Sequence, residues 1–279
     1  TGASLLVVTL ITVIFVKETP LQEKPVTPFW PPMVRVLGML GGIAIGAVAG
    51  LLGGGLVGGL TGLITLIFAE KATALSVGVG VGGAVAMIVA VVTGVWAGAL
   101  GTLGKEARQN SSFVWWIVNR LMFLAAATSI QGSIFYFVMY AFNLSDEAAS
   151  SMTGSLTSII GIFIVLTALA SGGISDRIGR TRLVAMSGIM AAAGNVLLLV
   201  TIWVPNLTTI YIAGTIIGLA TGLFMTANWA LGTDLVPAGE AGRYVGISNL
   251  AGAGAGIIGA GIGGLVADTI NHYYMGLGY

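Results

Sequence analysis

The side chains that could do chemistry in this chain are few, and they interrupt long apolar runs. Arg120 lies in one such run, and Asn228 and Asn249 lie at a similar depth in two later runs. Within a membrane such groups are costly, and they usually pair with one another or serve a function. We therefore predict that the three side chains form one polar layer. The alternative is that Arg120 extends to the membrane surface along its own apolar stem.

The residue arrangements used by enzymes and metal centres are missing. The chain has no Cys and one His, which is too few donors for a metal-ligand cluster. It also contains no nucleophile–base pair, no phosphate-binding Walker loop and no H-E-x-x-H motif. The sequence predicts a protein that is not an enzyme and that holds neither a metal nor a cofactor.

The composition places the chain in a membrane. Of its 279 residues 56% are hydrophobic and 8% are charged, and the net charge is +1. Soluble domains carry about 25% charged residues, and nucleic-acid-binding proteins need a basic surface. These values exclude a soluble globular domain, a disordered chain and a nucleic-acid partner. Since the apolar runs are continuous rather than alternating, we predict an all-α integral membrane bundle surrounded by lipid.

Charge-free apolar runs give the number of spanning helices. A helix needs about 20 apolar residues to cross a bilayer. A turn signal at Val204-Pro205-Asn206 divides the longest run, so the sequence predicts eight spans, of which the first is incomplete. The runs are 1–16, 36–69, 72–104, 121–145, 148–175, 183–233 and 244–267.

Basic residues are concentrated in alternate loops. Nine of the eleven lie in the loops 17–35, 104–112, 176–182 and 234–243, whereas Lys71 is the one basic residue in the loops of the other side. Loops rich in Lys and Arg stay in the cytoplasm. We therefore expect these four loops to be cytoplasmic, in a multi-pass protein of the plasma membrane, the inner membrane of a bacterium.

The second and third runs carry a regular pattern of small residues, one at every fourth position. A stripe of 24 residues rises about 36 Å, enough to cross the bilayer. Because small residues let helix backbones approach closely, we predict a closely packed antiparallel pair over 36–104, called here the glycine hairpin. Its stripes pair either with each other or with a partner chain. The packing glycines are Gly38, Gly42, Gly46, Gly50, Gly54, Gly58, Gly62, Gly78, Gly82, Gly94 and Gly98.

A short charged motif separates two of the later runs. Residues 172–180 read G-x-x-x-D-R-x-G-R, residues 237–246 read P-x-x-E-x-x-R-x-x-G, and the run that follows is rich in Gly. With these features, over about 110–279, the chain resembles the C-terminal half of a major facilitator superfamily transporter, helices seven to eleven. The stretch Asn228-Trp229-Ala230-Leu231 is similar to the glycoside and sucrose type of cation symporter.

The resemblance implies a charged latch at the cytoplasmic face that locks one state of the transporter. We expect Asp176 to cap the helix after the motif, and Arg180 and Arg182 to pair with Glu240 or Asp234; Arg243 is an alternative partner for Glu240. The glycines of the motif would allow close approach and positive φ. A solvated basic loop is the alternative. The latch residues are Gly172, Asp176, Arg177, Gly179, Arg180, Glu240 and Arg243.

The resemblance also implies a substrate path. Gln131 and Tyr136 would lie on a helix that lines it, and ordinary hydrogen bonding between helices is the alternative for both. The candidate path residues are Arg120, Gln131, Tyr136, Asn228, Trp229 and Asn249.

Four parts follow from the runs and the resemblance. They are the end of a preceding spanning helix (1–16), a cytoplasmic linker (17–35), the inserted glycine hairpin (36–104), and a transporter half whose last helix is missing (105–279). The resemblance implies a secondary transporter that moves a small solute by alternating access. Its partner would be the missing N-terminal half, or a membrane subunit packed on the glycine hairpin. The alternative function, favoured by the hairpin and by the lack of midspan carboxylates, is a non-transporting structural or assembly subunit.

Overall fold

The computed structural model of the chain describes residues 30–201, 203–236 and 241–270. Contacts divide the chain into two compact units, 1–34 and 35–279. The first unit is described only at the opening of a helix, and all that follows concerns the second. The described helices are α1 (Trp30–Thr65), α2 (Lys71–Leu103), the short α3 (Glu106–Gln109), α4 (Ser111–Ala141), α5 (Asp146–Ile178), α6 (Arg180–Val200), α7 (Leu207–Leu235) and α8 (Ala241–Ile270).

Helices account for all the regular structure in the described ranges, where no strand occurs. Six of these helices, α1, α2 and α4 to α7, are long and apolar enough to cross a membrane. In lipid the backbone has to satisfy its own hydrogen bonds, which a helix does within one segment. The predicted all-α membrane bundle is confirmed.

Polar residues at the helix starts explain where three of the spans begin. Asn206 accepts hydrogen bonds from the amides of Thr208 (2.8 Å) and Thr209 (3.3 Å), which fixes the start of α7 directly after Pro205. Ser145 caps α5 and Asn110 caps α4 in the same way. These side chains supply acceptors for amides that have no partner within the helix.

The two stripes of the glycine hairpin face each other along α1 and α2. A Cβ added to Gly46 would lie 2.5 Å from the carbonyl oxygen of Ala90 and 2.5 Å from the Cα of Gly94. One turn further along α1, a Cβ on Gly50 would lie 2.5 Å from the carbonyl oxygen of Ala86. Each step of four residues along α1 therefore matches a step of four back along α2. The backbones touch, and the register is antiparallel.

The remaining spans pack in two groups. α8 packs against α2 and α4, while α7 packs against α5 and α6. A core of aromatic residues at the start of α4 joins the groups, with the rings of Phe113 and Tyr244 4.6 Å apart and those of Phe113 and Trp116 5.4 Å apart. Phe113 and Tyr244 are almost completely buried.

Two predicted boundaries need correction. Residues 30–35 were expected in the linker but are helical, because α1 begins at Trp30; the two prolines that follow it are tolerated in a first turn. The expected loop at 172–180 is also mostly helix, since α5 continues to Ile178 and α6 begins at Arg180. A single residue, Gly179, breaks the chain there. The predicted segments at 1–16 and 17–29 lie outside the described residues.

Three of the basic loops meet at one end of the bundle. The side-chain amide of Asn110 donates to the carbonyl oxygen of Leu235 (3.0 Å), which joins the start of α4 to the end of α7. Arg180, the first residue of α6, forms an ion pair with Asp234 in the last turn of α7. The chain segments around 104–112, 176–182 and 234–236 therefore lie on the same side.

Candidate functional site

Arg120 is a buried charge inside a spanning helix. It lies nine residues after the start of α4, about 14 Å along the helix, and is 6% exposed. Its Nη1 donates a hydrogen bond to the side-chain oxygen of Asn228 on α7 (3.2 Å). The alternative that Arg120 extends to the membrane surface is wrong, because the guanidinium turns into the bundle.

Asn228 orients the arginine from the facing helix. It is fully buried, and its side-chain nitrogen donates to the side-chain oxygen of Asn119 (3.4 Å). Its backbone carbonyl accepts a hydrogen bond from the indole nitrogen of Trp116 (2.8 Å). The indole fits because a glycine, Gly232, follows one turn later; a Cβ there would overlap the Cζ2 atom of the indole ring. Because a guanidinium can only donate, the oxygen of the Asn228 amide is the end that faces Arg120.

Two tryptophans flank the guanidinium. The Cζ atom of Arg120 lies 4.2 Å from the ring centre of Trp229 and 5.8 Å from that of Trp116. Both distances are within the range of cation–π attraction. Trp229 is 36% exposed, so it forms the outer side of the site. Trp116, Asn119, Arg120, Asn228 and Trp229 are called here the polar cluster.

Sequence reasoning identified three members of the polar cluster and missed two. Arg120, Asn228 and Trp229 were predicted, and the structure brings them together. Asn119 and Trp116 were missed, although Trp116 lies one turn before Arg120 on the same face of α4. Both residues bond to Asn228 and not to Arg120, so the signal for them was the need of the buried Asn228 for hydrogen-bond partners.

Three other predicted path residues lie elsewhere. Asn249 is exposed on α8, so the predicted layer of three residues is wrong in that member. Gln131 and Tyr136 are also exposed, and Gln131 lies eleven residues after Arg120, about three helical turns further along nearly the same side of α4. The depth of a residue in its span can be counted along the sequence, but the direction of its side chain depends on how the helices are rotated.

The ion pair at the end of the bundle is the second feature of the site. Arg180 pairs with Asp234 and donates from Nη1 to the backbone carbonyl of Ala230 (2.8 Å). The side chains are 35% and 54% exposed. Arg180 thereby holds the first turn of α6 against the last turn of α7.

The predicted latch differs from the structure at its other positions. Asp176 does not cap the following helix, because it lies in the last turn of α5 and the residue at the cap of α6 is Gly179. Gly179 has the expected positive φ of 94°, whereas Gly172 is helical and has no neighbour within 4 Å of an added Cβ. Arg177 is exposed at the end of α5. Glu240 and the side chain of Arg243 lie outside the described residues.

A comparison of the sequence with models of known protein families gives a match. The model described as Major Facilitator Superfamily matches residues 120–276, more than half of the chain. The chain belongs to the major facilitator superfamily. No curated protein and no solved structure matches it significantly.

The matched range begins at Arg120 and includes Arg180, Asn228 and Asp234. The glycine hairpin lies outside it. Major facilitator proteins are secondary transporters embedded in membranes, and they are typically not enzymes. The ion pair and three members of the polar cluster, Arg120, Asn228 and Trp229, therefore lie within the part of the chain that matches this family.

Proposed function

We propose that this major facilitator protein moves a small solute across the membrane by alternating access, with the Arg180–Asp234 pair forming and breaking at its cytoplasmic end. The observation that carries the proposal is the position of this pair. It joins the first residue of α6 to the last turn of α7, directly beside the one-residue break at Gly179. Because α5 and α6 connect through this single residue, α6 can rock relative to α5, and the pair holds the start of α6 in one arrangement against α7.

The strength of the pair suits a contact that is made and broken. An exposed ion pair contributes only about 0–1 kcal/mol, and both of these side chains are partly exposed. A difference of that size shifts a two-state equilibrium severalfold without locking it. The bond from Arg180 to the Ala230 carbonyl would be lost together with the pair.

The experiment measures solute flux in liposomes that contain the full-length protein. We expect Arg180→Gln and Asp234→Asn each to change the rate severalfold, because each leaves one charge without its partner. Exchanging the charges, Arg180→Asp with Asp234→Arg, should restore part of the rate. Arg182→Gln is the matched control, since Arg182 is exposed two residues away and has no bonded partner in the described chain. Equal rates for all of these variants would contradict the proposed latch, and an absence of flux in the unchanged protein would favour a structural subunit.

Membrane sidedness belongs to the same proposal. The nine-to-one distribution of basic residues supports a cytoplasmic position for the end at which α3, Arg180 and Asp234 meet, in a plasma membrane or bacterial inner membrane. Because the chain has no Cys, a single Cys at Gln109 gives a clean probe. It should react only with a reagent that has crossed into the cytoplasm; reaction with an impermeant reagent in intact cells would reverse the topology.

The remaining parts of the transporter are proposed from the resemblance. The N-terminal half or a partner membrane subunit would complete the path, but it would not bind the glycine stripes, since these are buried against each other. Contact would involve the outward leucines of α1, such as Leu52, Leu56 and Leu60. The similarity to glycoside–cation symporters rests on the stretch Asn228-Trp229-Ala230-Leu231. Because no carboxylate lies at midspan in the described helices, a coupling cation would have to bind in the N-terminal half.

A further inference from the structure

The charge of Arg120 has no counter-charge in the described structure. All its identified partners are neutral: an amide oxygen of Asn228 and the rings of two tryptophans. The acidic residues of the described ranges all lie at or near helix ends or in loops, at positions 70, 106, 146, 147, 176, 234 and 268. The nearest of these along α7, Asp234, is already paired with Arg180. A buried cation without an anion is strongly disfavoured in lipid.

One donor of the guanidinium is unused. The Nε atom of Arg120 is buried and has no hydrogen-bond partner. Nη1 already donates to Asn228. The unused donor is therefore on the edge of the guanidinium that contains Nε. An arginine edge donates two parallel hydrogen bonds to a carboxylate, a geometry that a neutral hydroxyl cannot match. A buried donor that makes no hydrogen bond costs the full free energy of removing that group from water.

We infer that Arg120 binds the carboxylate of a transported monoanionic solute, with Asn228 holding the guanidinium in place and Trp229 covering its face. This inference deepens the proposed function by naming the class of solute. One guanidinium balances one negative charge, so a monocarboxylate fits the site better than a dianion would. Trp229 lies between the guanidinium and the exterior of the described bundle, with 36% of its surface exposed. The solute would approach past this ring.

The purely structural role is that Arg120 ties α4 to α7 and needs no ligand. The two roles differ in their response to an internal carboxylate. Asn228→Asp places a negative charge next to Nη1, where it supplies the missing counter-charge. If Arg120 binds a solute, this variant folds at least as stably as the unchanged protein but loses the anion, because its own carboxylate occupies the cation.

The experiment uses the full-length protein in lipid nanodiscs and follows tryptophan fluorescence during titration. The probes are lactate and benzoate, each with its neutral amide, together with succinate as a dianion and sucrose as a neutral solute. We expect at least one monocarboxylate to bind at least tenfold more tightly than its amide. Arg120→Gln and Asn228→Asp should each weaken that binding at least tenfold, whereas Asn249→Asp, an exposed site at similar depth, should not. Arg120→Lys keeps the positive charge but removes the paired donors of the guanidinium, so it should weaken carboxylate binding less than Arg120→Gln does.

The outcomes separate the inference from the proposed function. Carboxylate binding that depends on Arg120, without flux in liposomes, would support the anion site and contradict transport. Flux of a neutral solute that survives Arg120→Gln would support transport and overturn the anion site. Failure of every carboxylate to bind the unchanged protein, or unchanged carboxylate binding in a folded Asn228→Asp variant, would also overturn it.

Discussion

The glycine hairpin and the polar cluster both hold two spans together, but they do so by opposite means. In the hairpin, α1 and α2 meet through backbone atoms and small side chains from Gly38 to Gly62 of α1, a segment that contains no charged residue. At the polar cluster, α4 and α7 meet through a few large or polar side chains, and one of these carries a charge. The first contact is repetitive and the second is concentrated in five residues.

The difference explains what each contact can do. Neighbouring helices in lipid gain little from hydrophobic burial, so close backbone packing is an effective way to hold two helices in a fixed arrangement. It offers no group for a solute to bind. A buried arginine is costly in the same surroundings, and it is retained most readily where its charge is used. The hairpin therefore suits a fixed scaffold, and the polar cluster suits the part of the protein that responds to a ligand.

The largest effect is expected in the glycine hairpin. A Cβ on Gly54 would lie 2.5 Å from the Cβ of Ala86, so Gly54→Leu cannot be accommodated unless α1 and α2 separate. Overpacking a core costs about 1–3 kcal/mol, and a whole leucine side chain between touching backbones should exceed that range. We expect the thermal midpoint and the yield of purified protein to fall sharply.

Gly55→Leu is the control for this substitution. Gly55 is the next residue of α1, and nothing lies within 4 Å of an added Cβ. A leucine there would face the same way as the exposed leucines of this helix, so the thermal midpoint should hardly change. Equal losses in the two variants would mean that close packing between the stripes does not decide the stability of the hairpin, because leucine favours a helix more than glycine does and propensity alone would cause no loss.

A smaller effect is expected at the polar cluster. Trp116→Phe removes the indole donor to the carbonyl oxygen of Asn228, a buried bond of 2.8 Å, while it keeps most of the ring. The loss of one buried hydrogen bond costs about 1–3 kcal/mol. Trp115→Phe is the matched control, because the adjacent tryptophan is 52% exposed. If unfolding in detergent gives the same midpoint for both variants, the bond to Asn228 does not stabilise the contact between α4 and α7.

The same comparison shows how far sequence reasoning reaches. The packing face of the glycine hairpin could be predicted because a small residue recurs at every fourth position, so an exception at one residue leaves the pattern intact. The antiparallel pairing also follows from a short connection between two spans. The polar cluster required a contact between residues 108 positions apart. Depth along the spans brought Arg120 and Asn228 together correctly, but the rotation of α8, which turns Asn249 outward, is set by packing that one sequence does not reveal.

The loop and the helix cap predicted from the charged motif were wrong for a different reason. Its spacing suggested a loop with Asp176 as the cap of the next helix, yet nothing in 172–178 stops a helix, and α5 continues through it. The one residue that does stop it, Gly179, adopts a φ of 94° that favours glycine. The carboxylate that meets Arg180 comes from Asp234, 54 positions later, and not from the motif itself.

The smallest effect is therefore expected at Asp176. Its side chain is exposed, bonds to no other residue in the described chain, and lies near the C-terminal end of α5, where a negative charge meets the negative end of the helix dipole. Asp176→Asn should leave the free energy of unfolding unchanged or raise it by up to about 0.5 kcal/mol. Flux should also be unchanged, in contrast to Asp234→Asn, because the bond that holds α6 to α7 does not involve Asp176. If Asp176→Asn slows flux as much as Asp234→Asn does, residues of the motif bind a partner during the transport cycle, and the latch extends beyond the single pair.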